Sequence, residues 1–144
     1  MSIDADPMAN FNQGIIAQFR ANAGEIEEGP LKGHPVLLLG IRGAKSGRDY
    51  VTPLAYTRDG DRLVVIASKG GAPTNPGWYH NVKANPIVTV EVGTEQFQAR
   101  AHEVEGAERD RLYDAHAALM PNFAEYQRKT TRRIPVLVLQ RIED

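Results

Sequence analysis

Two stretches of the chain combine glycine with groups that bind anions. Gly40-Ile-Arg-Gly-Ala-Lys-Ser-Gly-Arg48 brings Arg42, Lys45 and Arg48 together with the Ser46 hydroxyl, and its glycines let backbone amides approach a ligand. Positions 29–58 carry five basic residues against one acid, whereas the first 28 residues carry five acids and one base. Such a local excess suits phosphate or carboxylate, and a solvated hairpin tip with incidental charge accounts for it equally well. Ser68-Lys-Gly-Gly71 is the second stretch, a hydroxyl and an ammonium beside two glycines that also read as a flexible connector. A helix opening at Pro76 would add free amides and the positive end of its dipole. If these three features converge in the fold, they suit one elongated anionic ligand.

Other chemistries lack their residues. Ala44 stands before Lys45 and Leu39 stands where the first glycine of a Walker A loop belongs, so ATP hydrolysis has no motif. Neither glycine stretch has dinucleotide spacing in a strand-turn-helix setting, and there is no Gly-x-Ser-x-Gly elbow. The chain has no cysteine, and His34, His80, His102 and His116 lack metal-ligand spacing, so no metal is expected. His116 lies beside the apolar stripe of Leu112, Ala115 and Leu119 and reads as a hydrogen-bonded structural histidine. Tyr79 and Tyr126 could donate protons, although packing is the commoner use of such tyrosines. Side chains this poor in reactive chemistry point an enzyme toward a borrowed organic cofactor.

The elements that must hold these residues fit one domain of 144 residues. Met8, Phe11, Ile15 and Phe19 recur at helical spacing, giving an amphipathic helix over 7–23 with Pro7 in its first turn; it packs on the core or, as a second reading, touches a membrane. Extended runs follow at 36–41, 49–57 and 63–67, the last two predicted to pair as a hairpin through Arg58-Asp-Gly-Asp61. Pro53 lacks the amide hydrogen of a central ladder, which implies an edge or a bulge. Asn75 is expected to cap a short helix ending at Asn85-Pro86. A second hairpin spans 87–92 and 96–104, with Phe97, Ala99 and Ala101 on one face, and helices at 107–120 and 123–129 precede a last strand at 134–141. Helices do not alternate with strands, so a mainly antiparallel sheet or barrel of about six strands with flanking helices is favoured over a doubly wound sheet. Seventeen basic residues against eighteen acidic ones give a net charge of −1, which offers nucleic acid no general attraction. The basic loop also has no interleaved aromatics for base stacking. The apolar runs are far shorter than a membrane helix and the N-terminus lacks a secretory pattern, so the chain reads as a mature cytoplasmic protein.

An ordered set of motifs then carries a resemblance. Gly43-Ala-Lys-Ser-Gly47, Thr52-Pro-Leu54, Arg58-Asp-Gly60, Ala67-Ser-Lys-Gly-Gly-Ala-Pro73, Asn75-Pro-Gly-Trp-Tyr-His-Asn81, Ala84-Asn-Pro86, Tyr126-Gln127 and Ile134-Pro-Val136 follow the order and spacing of the deazaflavin-dependent nitroreductase family. Over roughly residues 10–142 the chain resembles these reductases. The resemblance implies a split β-barrel of the pyridoxamine-phosphate-oxidase and FMN-binding type, and the cofactor F420, an 8-hydroxy-5-deazaflavin with a phosphate and a polyglutamate tail. It implies hydride transfer to a hydrophobic electrophile: a quinone, an activated enone or unsaturated lactone, or in some members a nitro-aromatic.

By the same resemblance Ala44, Lys45 and Ser46 would hold phosphate and tail, supported by Arg42 and Arg48. Tyr50, Val51, Thr52, Pro53, Leu54 and Ala55 would run along the cofactor. Ile66, Ala67, Ser68 and Lys69 would meet the deazaflavin end and its linker, while Gly77, Trp78, Tyr79, His80 and Asn81 would contact it from the helix side. Phe123 and Tyr126 would wall the acceptor side. In the hydride transfer itself Tyr126, Ser68 or solvent would supply the proton, Tyr126 and Ser68 also serving to polarise the acceptor. The chain departs from the nitroimidazole-reducing member, whose pocket tyrosines are matched here by Ala55, Met120 and Phe123, leaving Tyr126 alone. An apolar pocket of that kind suits a flat hydrophobic acceptor. The rival readings are an FMN-dependent oxidoreductase of the same barrel and a non-catalytic F420-binding protein.

Overall fold

The computed structural model describes residues 9–29 and 31–142; Pro7 and Met8 of the expected first helix lie outside them. The elements run α1 (Ala9–Ala21), β1 (Val36–Arg42), β2 (Asp49–Ala55), β3 (Thr57–Asp59), β4 (Arg62–Ile66), a single 3-10 turn at Lys69–Gly71, α2 (Gly77–Ala84), β5 (Ile87–Val92), β6 (Glu95–Val104), α3 (Gly106–Leu119), α4 (Asn122–Arg128) and β7 (Val136–Arg141). All strand pairs are antiparallel, in the order β2-β1-β5-β6-β7-β4-β3. The two strands at opposite ends of that order, β2 and β3, are consecutive in the chain and separated only by Tyr56. The sheet therefore curls until its edges meet, giving a small barrel split along the β2/β3 seam.

β1 is apolar on both faces because both are covered. Leu37, Leu39 and Ile41 point inward to meet Val65, Val90 and Leu139, while Val36 and Leu38 point outward under Ile15 and Phe19 of α1. Leu37, Leu38 and Leu39 are fully buried, and truncating any of them to alanine removes about 2–5 kcal/mol of stability. Ile15 and Phe19, half of the stripe that allowed a membrane reading, are spent on the barrel at 3% and 2% exposure. Among the described residues no helix is long and apolar enough to cross a membrane.

Four sequence expectations need correction. The 49–57 run is two strands, because the chain steps across the seam at Tyr56, and the count becomes seven. The expected hairpin shrinks to Thr57–Asp59 against Arg62–Val64, while the long β2 pairs with β1 instead. Asn75 caps nothing: Pro76 occupies the helix N-cap position, and the Asn75 amide oxygen accepts from Arg132 at 2.5 Å. Nor is Gly71 a flexible connector. It has φ +84, and a Cβ there would stand 2.7 Å from the Tyr126 carbonyl oxygen, so only glycine lets the turn pack on α4. Pro53 does lie on an edge strand, in register with Leu38.

Candidate functional site

The basic loop is the tip of the β1/β2 hairpin. It is closed by Gly43 N–H to Arg48 carbonyl at 2.7 Å and Gly47 N–H to Gly43 carbonyl at 3.1 Å. Ser46 Oγ accepts the Arg48 amide and lies 3.2 Å from the Tyr50 hydroxyl. Arg42, Ala44, Lys45, Ser46 and Arg48 are all exposed. Charge pairing separates them: Arg42 leans toward Asp49 at 3.9 Å, whereas Lys45 and Arg48 have no carboxylate within ion-pair distance among the described residues. Most other arginines are paired, including Arg20, Arg62, Arg111, Arg133 and Arg141. Two uncompensated cations beside a neutral hydroxyl form the donor set that a phosphate or polycarboxylate requires.

α2 links this loop to the second one. Asn81, buried within the helix, accepts the Ala44 amide at 3.0 Å, and Asn85 at the helix end donates to the Arg42 carbonyl at 3.2 Å. The basic loop thus sits beside the C-terminal half of α2, and the segment 68–75 leads into its N-terminus. Eight helical residues span about 12 Å, so the two loops stand at opposite ends of one short helix. Asn81 therefore shapes the loop with its oxygen. Tyr79 likewise commits its hydroxyl, donating to Glu103 at 2.5 Å; burial, with help from that carboxylate, pushes its pKa up to about 12. His80 is exposed, and Trp78 packs half-buried on the barrel interior.

Leu54, Trp78, Tyr79 and Ala67 share the interior cluster, while Ala55, Ile66, Phe123 and Tyr126 share the cluster beneath α3 and α4. Residues 54–55 and 66–67 mark the line where these clusters meet. Among the described residues β2 pairs only with β1, which leaves its other backbone edge without a strand partner. Arg42, Tyr50 and Val51 lie apart from that line, in a groove of about 540 Å³ on the outer face, with Arg20, Asn85 and Ile87. The expected contacts are therefore split between the seam and the outer groove. Thr52 and Ser68 are half-buried, Lys69 donates to Thr74 Oγ1 at 3.3 Å, and Gly77 opens α2.

Phe123 is only 9% exposed and stacks edge-on between His116 and Tyr126, at centroid distances of 4.4 and 5.2 Å. It backs the site more than it lines it. Tyr126 is half-buried and its hydroxyl accepts from Asn122 at 2.8 Å. The structural reading of His116 holds: fully buried, it bonds Thr57 Oγ1 through Nδ1 at 3.0 Å, while Nε2 has no partner among the described residues. Burial lowers its pKa to about 4.

Nothing in the sequence singles out Arg132 or Arg109. Arg132 donates to the carbonyls of Ala67, Ser68 and Ala72 and to Asn75 Oδ1, at 2.5 to 3.2 Å. Arg109 is buried and donates to the Ile134 carbonyl and to Gln127 Oε1. Gln127, which sits in a recognised motif, donates in turn to the Arg132 carbonyl at 2.8 Å. The only sequence trace is a basic pair, Arg132-Arg133, just before a buried strand, and that pattern carries no information about partners some 60 residues away.

A family model described as F420H(2)-dependent quinone reductase matches residues 14–141. The chain is 46% identical over 110 residues to the F420H(2)-dependent quinone reductase Rv1261c of Mycobacterium tuberculosis, covering 74% of each protein. Among solved structures it is similar to the F420-H2 dependent reductase FDR-A, with TM-score 0.69 and 41% identity over 74% of this chain and 94% of that one. The heme storage protein HutZ of Vibrio cholerae, at 17% identity and TM-score 0.58 over 92% of both chains, shares the fold alone. A split barrel with unpaired cations at its hairpin tip thus coincides with a family match along nearly the whole described chain and with relatives over about three quarters of it, and the protein belongs to the F420H(2)-dependent quinone reductase family.

Proposed function

We propose that this chain reduces hydrophobic electrophiles, quinones first among them, with hydride from reduced F420. The observation that carries the reading is the pair of uncompensated cations, Lys45 and Arg48, at one end of α2, with the glycine turn at 68–71 at the other. Such spacing suits a ligand with an anionic tail and a flat neutral end. Lys45, Arg48 and Ser46 would hold the phosphate and tail, and Ala67, Ser68 and Lys69 the ring end. Bound in this way, reduced F420 would supply the hydride. The chain itself orients the partners and polarises the acceptor. Leu54, Ala55, Ile66 and Phe123 keep that region apolar and exclude water, which favours a flat hydrophobic acceptor over a charged one. Tyr126 or Ser68 would give the proton. The Asn122 amide donates to the Tyr126 oxygen, leaving its O–H proton free to point at an acceptor.

The test is a fluorescence titration with F420 and separately with FMN, followed by menadione added to the reduced F420 complex. Saturable F420 binding with quinone-dependent reoxidation is expected. Binding of FMN alone would transfer the site to the flavin reading, and F420 binding without turnover on quinones or enones would leave a carrier.

A further inference from the structure

Arg132 makes five donations to four oxygens of one loop, and none of them is a carboxylate. Three are backbone carbonyls, and two of those, Ala67 and Ser68, sit in consecutive peptides. In a planar trans peptide the N–H points opposite the C=O, and no peptide bond among the described residues is cis. Gripping the Ala67 and Ser68 carbonyls therefore turns the amides of Ser68 and Lys69 away from the guanidinium. Neither amide has an acceptor among the described residues. Ser68 is right-handed at φ −77 and ψ −40, and Lys69 is left-handed at φ 47. That alternation makes successive amides converge on a single oxygen.

The same arginine belongs to the acceptor side. Its own carbonyl accepts from Gln127 of α4, Gln127 is held by Arg109 of α3, and the Tyr113 hydroxyl pins the Phe123 carbonyl at 2.5 Å. Gly71 rests directly on the Tyr126 backbone. The loop that presents Ser68 and the helix that presents Tyr126 thus meet at one arginine, its guanidinium holding the loop and its backbone carbonyl accepting from α4.

We infer that Arg132 is a positioning residue for the reaction: it sets the Ser68 and Lys69 amides as paired donors to an oxygen of the ring end and fixes their distance from Tyr126. The inference rests on the proposed function and adds a residue that never touches the ligand. An arginine is needed because a lysine ammonium is a single point with three donors and cannot span four acceptors in one plane.

The experiment is Arg132→Lys, with Asn75→Ala as a milder variant that removes one acceptor and leaves the core intact. Stopped-flow mixing of each reduced F420 complex with menadione yields the dissociation constant and the limiting rate together. For Arg132→Lys the limiting rate should fall at least tenfold while the dissociation constant rises less than fivefold; Asn75→Ala should lower the rate two- to fivefold. In the ligand-free protein, heteronuclear NOEs of the Gly71 and Ala72 amides should drop in Arg132→Lys while those of β1 and β5 stay at wild-type values. An unchanged rate with a rigid loop would overturn the inference. So would loss of NOE across β1 and β5, because Arg132 would then serve the fold at large; in that event an unchanged rate in Asn75→Ala would confirm the overturning. Wild-type protein that binds no F420 would instead sink the functional reading, a result distinct from a wild type that turns over and an Arg132→Lys variant that matches it.

Discussion

The two glycine loops look alike as sequence and are held in opposite ways. The loop at 43–48 is exposed from Ala44 onward, is closed by local bonds with one further bond to Asn81, and leaves Lys45 and Arg48 without a carboxylate among the described residues. The loop at 68–75 is gripped from beneath by Arg132 and from the side by α4. One leaves its cations open to solvent, the other holds a fixed position against a helix. Charge at the first should govern affinity, and packing at the second should govern geometry and stability.

The sharpest contrast is between two glycines with similar φ. Gly71→Ala forces a Cβ to 2.7 Å from the Tyr126 oxygen at φ +84, whereas Gly47, at φ +71, has nothing within 4 Å. Left-handed strain costs both about 1–2 kcal/mol, and overpacking adds about 1–3 kcal/mol at Gly71 alone. Thermal melting should rank Gly71→Ala well below Gly47→Ala; equal losses would show that the second loop is as yielding as the first.

Acid should loosen the packed side selectively. His116 lies under Phe123 of α4, and burial sets its pKa at about 4, below the ordinary 6.5. The unfolded chain then binds the proton more readily. Its contribution is complete above about pH 6.5 and is lost as pH falls toward 4, on the order of 3 kcal/mol in all. Melting temperature should drop across that window, and His116→Gln should flatten the drop. A slope unaltered by His116→Gln would remove His116 as its source.

Smaller effects belong to the exposed loop. Lys45→Ala alone should weaken F420 binding about fivefold, or about 1 kcal/mol, the upper end for an exposed ion pair, with the melting temperature unchanged. Raising salt from about 0.05 to 0.5 M should weaken binding a few-fold more, because the screening length shrinks below the reach of exposed charges. Salt-independent affinity would move the anion away from Lys45 and Arg48.

What could be read from the chain divides along the same line. Lys45, Ser46 and Arg48 act within a few residues of one another, so local composition exposed the basic loop. The β5/β6 hairpin and the edge position of Pro53 were legible for the same reason, since both follow from the backbone chemistry of adjacent residues. The step at Tyr56 was not, because continuous β-forming sequence from 49 to 57 hides a change of partner that only barrel closure dictates. Arg132 was invisible because its partners lie 57 to 65 positions away. The role of Gly71 was hidden for the same reason, its constraint coming from the Tyr126 backbone.

The division of labour between the loops is tested most directly by one stopped-flow titration of the Lys45→Ala/Arg48→Ala double variant. Reduced F420 is varied with menadione in excess, so half-saturation and limiting rate come from the same data. Half-saturation should rise at least tenfold while the limiting rate stays within about twofold of wild type, as expected when two charge-assisted contacts are lost from binding alone. A limiting rate that collapses while half-saturation stays put would contradict the assignment of affinity to the exposed loop and geometry to the packed one.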